Sequence, residues 1–177
     1  WDPRSGNAIV SDVGPGIDRI VRLLPGVNYC FGNDDNQMRA NALYTWGPGS
    51  GFAPVGVTFG LNDALGVDHA HRLFVGLFGA VHLPGPNEGK RITRFEIGPD
   101  GWLQSAAQDF ITYTGSRFAS VTDVEWGPDG LYFADIYGES TEPHFGGGAI
   151  FRVVPDPDWK PLEDPLMSLT GAARGRF

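Results

Sequence analysis

The apolar positions of the chain fall into short strand-like runs separated by turns rich in glycine and proline. In Arg72-Leu73-Phe74-Val75-Gly76-Leu77-Phe78-Gly79, Leu73, Val75 and Leu77 occupy one alternation, and Phe74 and Phe78 the other. A strand that is apolar on both alternations predicts burial between two neighbouring layers. Ala8-Ile9-Val10-Ser11-Asp12-Val13-Gly14 and Leu131-Tyr132-Phe133-Ala134-Asp135-Ile136-Tyr137-Gly138 also read as strands. Each follows a turn, built from Asp2, Pro3, Ser5 and Gly6 in one case and from Gly127-Pro128-Asp129-Gly130 in the other. Behind each strand comes an isoleucine, any residue, an arginine and an apolar residue, at 17–20, 92–95 and 150–153. The two features in the same order three times mark an internal repeat of roughly 60 residues.

The repeating unit reads as strand, glycine-rich turn, strand, long loop, Ile-x-Arg strand and a further strand such as 108–112. Gly-Pro-Asp-Gly occurs at 98–101 and at 127–130, where proline sets φ and glycine relieves the position that needs φ > 0. Four antiparallel strands in about 60 residues make a large β-propeller blade. A jelly roll or immunoglobulin sandwich would leave one polar face and would not repeat motifs at this period. The expected fold is therefore all-β, a partial propeller of about three four-stranded antiparallel blades over residues 1–155. The second blade spans about residues 53–113 and the third about 121–155, while the first lacks its opening strand. Because closure needs roughly four blades, the chain is expected to be the C-terminal part of a longer propeller. Its open edges are expected to promote self-association. Residues 156–177 read as a linker followed by the start of a helical segment.

Composition narrows the partners. Of 177 residues, 26 are glycine and 14 proline, a load that argues against helical bundles and coiled coils. Hydrophobic residues make up 41% and charged ones 19%, enough for a real core. The net charge of −8 repels nucleic acid and anionic membrane surfaces, so neither is an expected partner. The longest uncharged run, 40–62, carries Gly47, Pro48, Gly49, Gly51, Pro54, Gly56 and Gly60, so no membrane span is expected. A single cysteine, Cys30, excludes an internal disulfide and a multi-thiolate metal site. It reads as a small buried hydrophobe rather than a nucleophile.

The repeat also places chemistry. Loops after the second strand of each blade should emerge on one face, so residues 12–17, 79–90 and 135–148 are expected to line a common rim. That rim would gather Asp12, the Gly14 and Pro15 carbonyls, His82, Glu88, Asp135, Glu139, Glu142 and His144. Carboxylates, carbonyls and neutral histidines suit Ca²⁺ or a polyhydroxylated ligand; solvated loop residues are the plainer alternative. Asp12 and Asp135 read as occupying the same position in two blades, either as site residues or as turn caps. His69 and His71 face one side of a strand entrance, but no further ligand is evident nearby, which favours a structural role over a metal pair.

The ordered motifs resemble the glucose/sorbosone dehydrogenase family, the soluble quinoprotein sugar dehydrogenases. The resemblance runs through Ser11-Asp12-Val13-Gly14-Pro15-Gly16-Ile17-Asp18-Arg19-Ile20 and Leu24-Pro25-Gly26-Val27-Asn28-Tyr29, then Ala53-Pro54-Val55-Gly56-Val57-Thr58-Phe59 and Leu73-Phe74-Val75-Gly76-Leu77. It continues in Asp123-Val124-Glu125-Trp126-Gly127-Pro128-Asp129-Gly130-Leu131-Tyr132 and Gly148-Ala149-Ile150-Phe151-Arg152-Val153, in family order over about residues 1–155. It implies a six-bladed propeller that binds pyrroloquinoline quinone (PQQ) and Ca²⁺ and oxidises a sugar. It also implies a periplasmic or secreted protein with a cytochrome c as electron acceptor. On that reading Gly14 and Pro15 lend carbonyls to Ca²⁺, Asp18 stands beside it, and Asp12, Asp135, His82 and His144 border the cofactor. Ser168 to Phe177 resembles the opening helix of a c-type cytochrome domain fused after such propellers.

The sequence departs from the family pattern at four positions. Val13 stands for a glutamine, no lysine follows Phe78 closely, and Ser120 and Thr122 stand for two arginines. Arg117 or Lys90 would then have to supply cations for the quinone. The same departures motivate a second expectation: a dehydrogenase-like propeller without the cofactor that binds carbohydrate or protein. A Ca²⁺-dependent hydrolase of the lactonase type is the third.

Overall fold

The computed structural model describes residues 1–14, 16–30, 35–46, 51–79, 89–138, 140–141 and 147–156. They form three antiparallel sheets in chain order. The first contains β1 (Ile9–Val13), β2 (Asp18–Arg22) and β3 (Tyr44–Trp46). The second contains β4 (Pro54–Phe59), β5 (Arg72–Leu77), β6 (Arg91–Glu96) and β7 (Gln108–Thr112), and the third β8 (Val121–Gly127), β9 (Gly130–Asp135) and β10 (Ala149–Val153). Within each sheet, strands are neighbours in the order in which the chain makes them, the meander of a propeller blade. The fold is all-β, with no sheet closed on itself, consistent with a partial propeller. Helical structure among the described residues is limited to α1 (Asp35–Ala40) and one 3₁₀ turn, Val67–His69. No helix there is long and apolar enough to cross a membrane.

The second sheet has all four strands, as the repeat predicts, and the first shows three among the described residues. The third shows three strands among the described residues, so the expectation of four per blade holds in full only for the middle sheet. β4, the inner strand of that sheet, packs against both β1 and β8 and links the three layers.

The double alternation of β5 explains how the layers stack. Leu73, Val75 and Leu77, all fully buried, join Ile9, Ile20, Leu43 and Trp46 of the first sheet in one core. Phe74, from the other face of the same strand, joins Val121, Val124, Trp126, Leu131 and Phe133 of the third in a second core. Each such side chain contributes roughly 1.5–3 kcal/mol by leaving water. Two glycines allow the close approach of the second and third sheets. A Cβ at Gly56 would lie 2.2 Å from the Val124 amide nitrogen, and one at Gly76 2.7 Å from Val121 Cγ1. The first is a clash with backbone that no rotamer change relieves.

Two details of the repeat are corrected by the strand register. Gly127–Gly130 is the β8–β9 hairpin, whereas Gly98–Gly101 lies beyond β6, closed by the Ile97–Leu103 bridge, so the shared tetrad serves two different connections. Asp12 is the penultimate residue of β1 opposite Arg19, while Asp135 ends β9 opposite Ala149. Counting from the strand ends, Asp135 corresponds to Val13, so Asp12 and Asp135 are not equivalent. A step of one residue reverses the face on which a strand side chain lies.

Candidate functional site

The ends of β1, β5 and β9 come together on one face through their loops. Phe78 and Gly79, just after β5, donate backbone N–H groups to the carbonyls of Ala53 and Phe52, at 3.0 Å each. Asp18, opposite Val13, reaches the same segment ahead of β4. Across the second and third sheets, Lys90 and Asp135 border one cavity with Tyr113 and Ser120.

Asp18 begins β2 and is completely buried. Its Oδ2 accepts the N–H groups of Gly51, Phe52 and Ala53 at 3.3, 3.1 and 3.0 Å. A carboxylate receiving three amides fixes the chain where it enters β4. Its second oxygen, Oδ1, is buried and has no hydrogen-bond partner among the described residues. Asp18 is thus half used. Four residues earlier, the Gly14 N–H donates to the Ile17 carbonyl at 3.1 Å, closing the β1–β2 turn. A Cβ at Gly14 would lie 2.5 Å from that carbonyl oxygen, so the turn needs glycine there.

Asp12 is committed elsewhere. Arg19 Nε donates to its Oδ2 at 2.8 Å across the β1–β2 pair. The guanidinium, fully buried, also donates from Nη1 to the Met38 carbonyl and from Nη2 to the Tyr29 carbonyl, each at 2.7 Å. Every nitrogen of Arg19 therefore has an acceptor, and the group ties the strands to α1 and to the loop carrying Tyr29.

Asp135, also buried, uses both oxygens. Oδ2 accepts the Ser120 N–H at 2.7 Å, and Oδ1 accepts those of Tyr137 and Gly138 at 2.8 and 2.7 Å. Ser120 directly precedes β8, so Asp135 holds the start of that inner strand much as Asp18 holds the start of β4. Burial pushes the Asp135 carboxyl above the usual aspartate range, against the pull of the three N–H groups and Lys90. Burial also lowers the Lys90 ammonium, with Asp135 opposing. Lys90 is almost fully buried and stands over the Tyr113 ring, 5.8 Å from its centroid. The cavity beside it, about 30 Å³, is walled by Ile92, Ile111, Val121, Phe133 and Phe151 and has room for little more than water.

Asp12, Gly14, Asp18 and Asp135 therefore lie at the expected end of the strands, each with a specific local partner. Pro15, His82, Glu88, Glu139, Glu142 and His144 lie outside the described residues. Among the described residues no three of His, Cys, Asp and Glu come together as a metal cluster. His69 and His71 do not form a pair. The His69 ring meets the edge of Phe110, and its Nδ1 lies 3.0 Å from Arg94 Nη1, while His71 is exposed with φ 62°. Cys30, expected in the core, is only half buried, with its N–H donating to Asn28 Oδ1.

Sequence reading offered Lys90 only as a replacement cation for the quinone and did not foresee its burial beside Asp135. It missed Arg19 as a buried hub, although the pairing of β1 with β2 sets that arginine directly opposite Asp12. Compared with known proteins, the chain matches no family model, no curated protein and no solved structure.

Proposed function

We propose that the chain is part of a dehydrogenase-like propeller whose loop face binds a carbohydrate around a Ca²⁺ ion held beside Asp18. The observation that carries this reading is the idle oxygen of Asp18. A buried carboxylate oxygen without a donor is costly, and a hard cation that prefers oxygen ligands offsets the cost. The carbonyls of the Gly14-Pro15 turn, close in sequence, would complete part of the shell. Sugar hydroxyls would fill the coordination positions that protein oxygens leave open.

The oxidising form of this reading adds PQQ. A tri-carboxylate needs cations with free donors. At this face Arg19 has given all of its nitrogens to protein acceptors, and Lys90 sits beside Asp135. The described residues therefore favour binding of a neutral, polyhydroxylated ligand over binding of the quinone.

The test is thermal unfolding of the chain with Ca²⁺, with Mg²⁺ and with neither, repeated for Asp18→Asn. A site on the folded state filled to 100 times its Kd adds about 2.7 kcal/mol. Wild type should gain stability with Ca²⁺ and not with Mg²⁺, and Asp18→Asn should gain none. Equal responses of the two proteins, or none in wild type, would remove the ion from this face. PQQ added to the Ca²⁺-loaded protein then separates the two forms: a further rise in melting temperature supports the oxidising one, and its absence the binding one.

A further inference from the structure

We propose that the cavity at the opposite end of β2, between the first two sheets, is a receptor for a small organic carboxylate, independent of the loop face. The cavity measures about 100 Å³ and is lined by Arg22, Leu24, Val27, Tyr29, residues 40–43 and Trp102. A single water needs roughly 10–15 Å³ of such space, so several waters or a small organic molecule can be held. Arg22 closes β2, and its guanidinium lies over the Trp102 ring, 3.9 Å from the centroid. Stacking of this kind orients a guanidinium before any ligand arrives.

The charge of Arg22 is uncompensated. In a protein with 21 acidic and 13 basic side chains, Arg4, Arg19, Arg72, Arg91 and Arg152 each pair with a carboxylate. Arg22 forms no ion pair among the described residues. Its Nη1 donates to the Asp100 carbonyl at 2.6 Å, while Nε is buried without an acceptor among the described residues. Because Nε is covered, an anion in the cavity would be met by the terminal nitrogens of the guanidinium, and its charge would offset that of an arginine with no carboxylate partner among the described residues.

The walls decide between anions. A guanidinium fork matches the planar, two-oxygen edge of a carboxylate. Leu24, Val27 and Leu43 offer apolar contact to an organic tail, which inorganic phosphate lacks. The Tyr29 hydroxyl is already spent, accepting the Leu24 N–H at 2.7 Å and donating to the Arg22 carbonyl at 2.5 Å. It holds the loop that walls the cavity and is not needed for the ligand.

Calorimetric titration with sodium propionate, at constant ionic strength, tests the site. Propionamide and inorganic phosphate serve as the neutral and non-planar comparisons. Saturable binding of propionate is expected, at least tenfold tighter than either comparison. Arg22→Lys, which keeps the charge but removes Nε and the fork, should weaken it tenfold or more. Ala42→Leu, which fills the cavity and leaves Arg22 in place, should do the same with an unchanged circular dichroism spectrum. If Ala42→Leu fails to fold, Val27→Phe narrows the cavity from a more exposed wall and carries the same expectation. Absence of saturation in wild type, equal affinity for propionamide, or full affinity in a folded cavity-filling variant would overturn the proposal.

Discussion

Asp18 and Asp135 have the same structural task and discharge it differently. Each is a buried carboxylate that accepts three backbone N–H groups at the threshold of an inner strand, β4 for one and β8 for the other. Asp135 divides its donors between two oxygens and has a cation nearby. Asp18 takes all three on Oδ2 and leaves Oδ1 without a partner among the described residues. Burial and polarity, the usual marks of a functional carboxylate, are alike in the two. The difference lies in the unused acceptor, which makes Asp18 the candidate ligand and Asp135 a structural clamp.

Replacing each by asparagine separates them most strongly. Asp18→Asn keeps one oxygen for the three amides and puts an NH₂ where an idle oxygen stood, so it should cost about 1 kcal/mol or less. Asp135→Asn must strand one or two N–H groups whichever way the amide is turned, at about 1–3 kcal/mol each. Urea midpoints of the two variants should therefore differ clearly, with Asp135→Asn the weaker protein; equal losses would erase the distinction.

A smaller effect concerns pH. Because burial raises the Asp135 carboxyl in the folded state, its contribution is fully present below the unfolded aspartate value of about 3.9. That contribution is lost as pH rises through the folded value. Asp135→Asn has no such dependence, so its deficit against wild type should be greatest in acid and shrink as pH rises from about 4. Denaturation of both proteins across that range checks the sign, and a deficit that grows with pH would contradict it.

Smallest is the effect of Lys90. Its charge works against the upward shift of Asp135, so Lys90→Met should move that carboxyl higher still. Carbon-detected NMR titration should show the Asp135 resonance shift its midpoint upward. An unmoved Asp135 would take Lys90 out of this site.

Much of the fold was legible because blade packing leaves a local mark. β5 must bury both faces, and the alternation of Leu73, Val75 and Leu77 with Phe74 records that directly. The extent of the second blade, β4 to β7, followed from the repeat. The Ile-x-Arg signature was less informative than it looked. Its arginine is the second residue of β2 but the fourth of β6 and β10, and it is buried at 19, partly buried at 94 and exposed at 152. A repeated motif records common ancestry of strands or common turn chemistry, not a common environment.

The sequence by itself determined the class of this protein: antiparallel strands, tight turns, two-sided burial of the central strand and a net negative charge. These depend on alternation and turn chemistry, which act over a few residues. Only the tertiary structure decided which polar groups are spent and which remain available. Asp18 finds its amides more than thirty residues later in the chain, and Arg22 meets Trp102 and the Asp100 carbonyl across a sheet boundary. Such partners are set by how the first two sheets stack, and spacing along one strand cannot encode them.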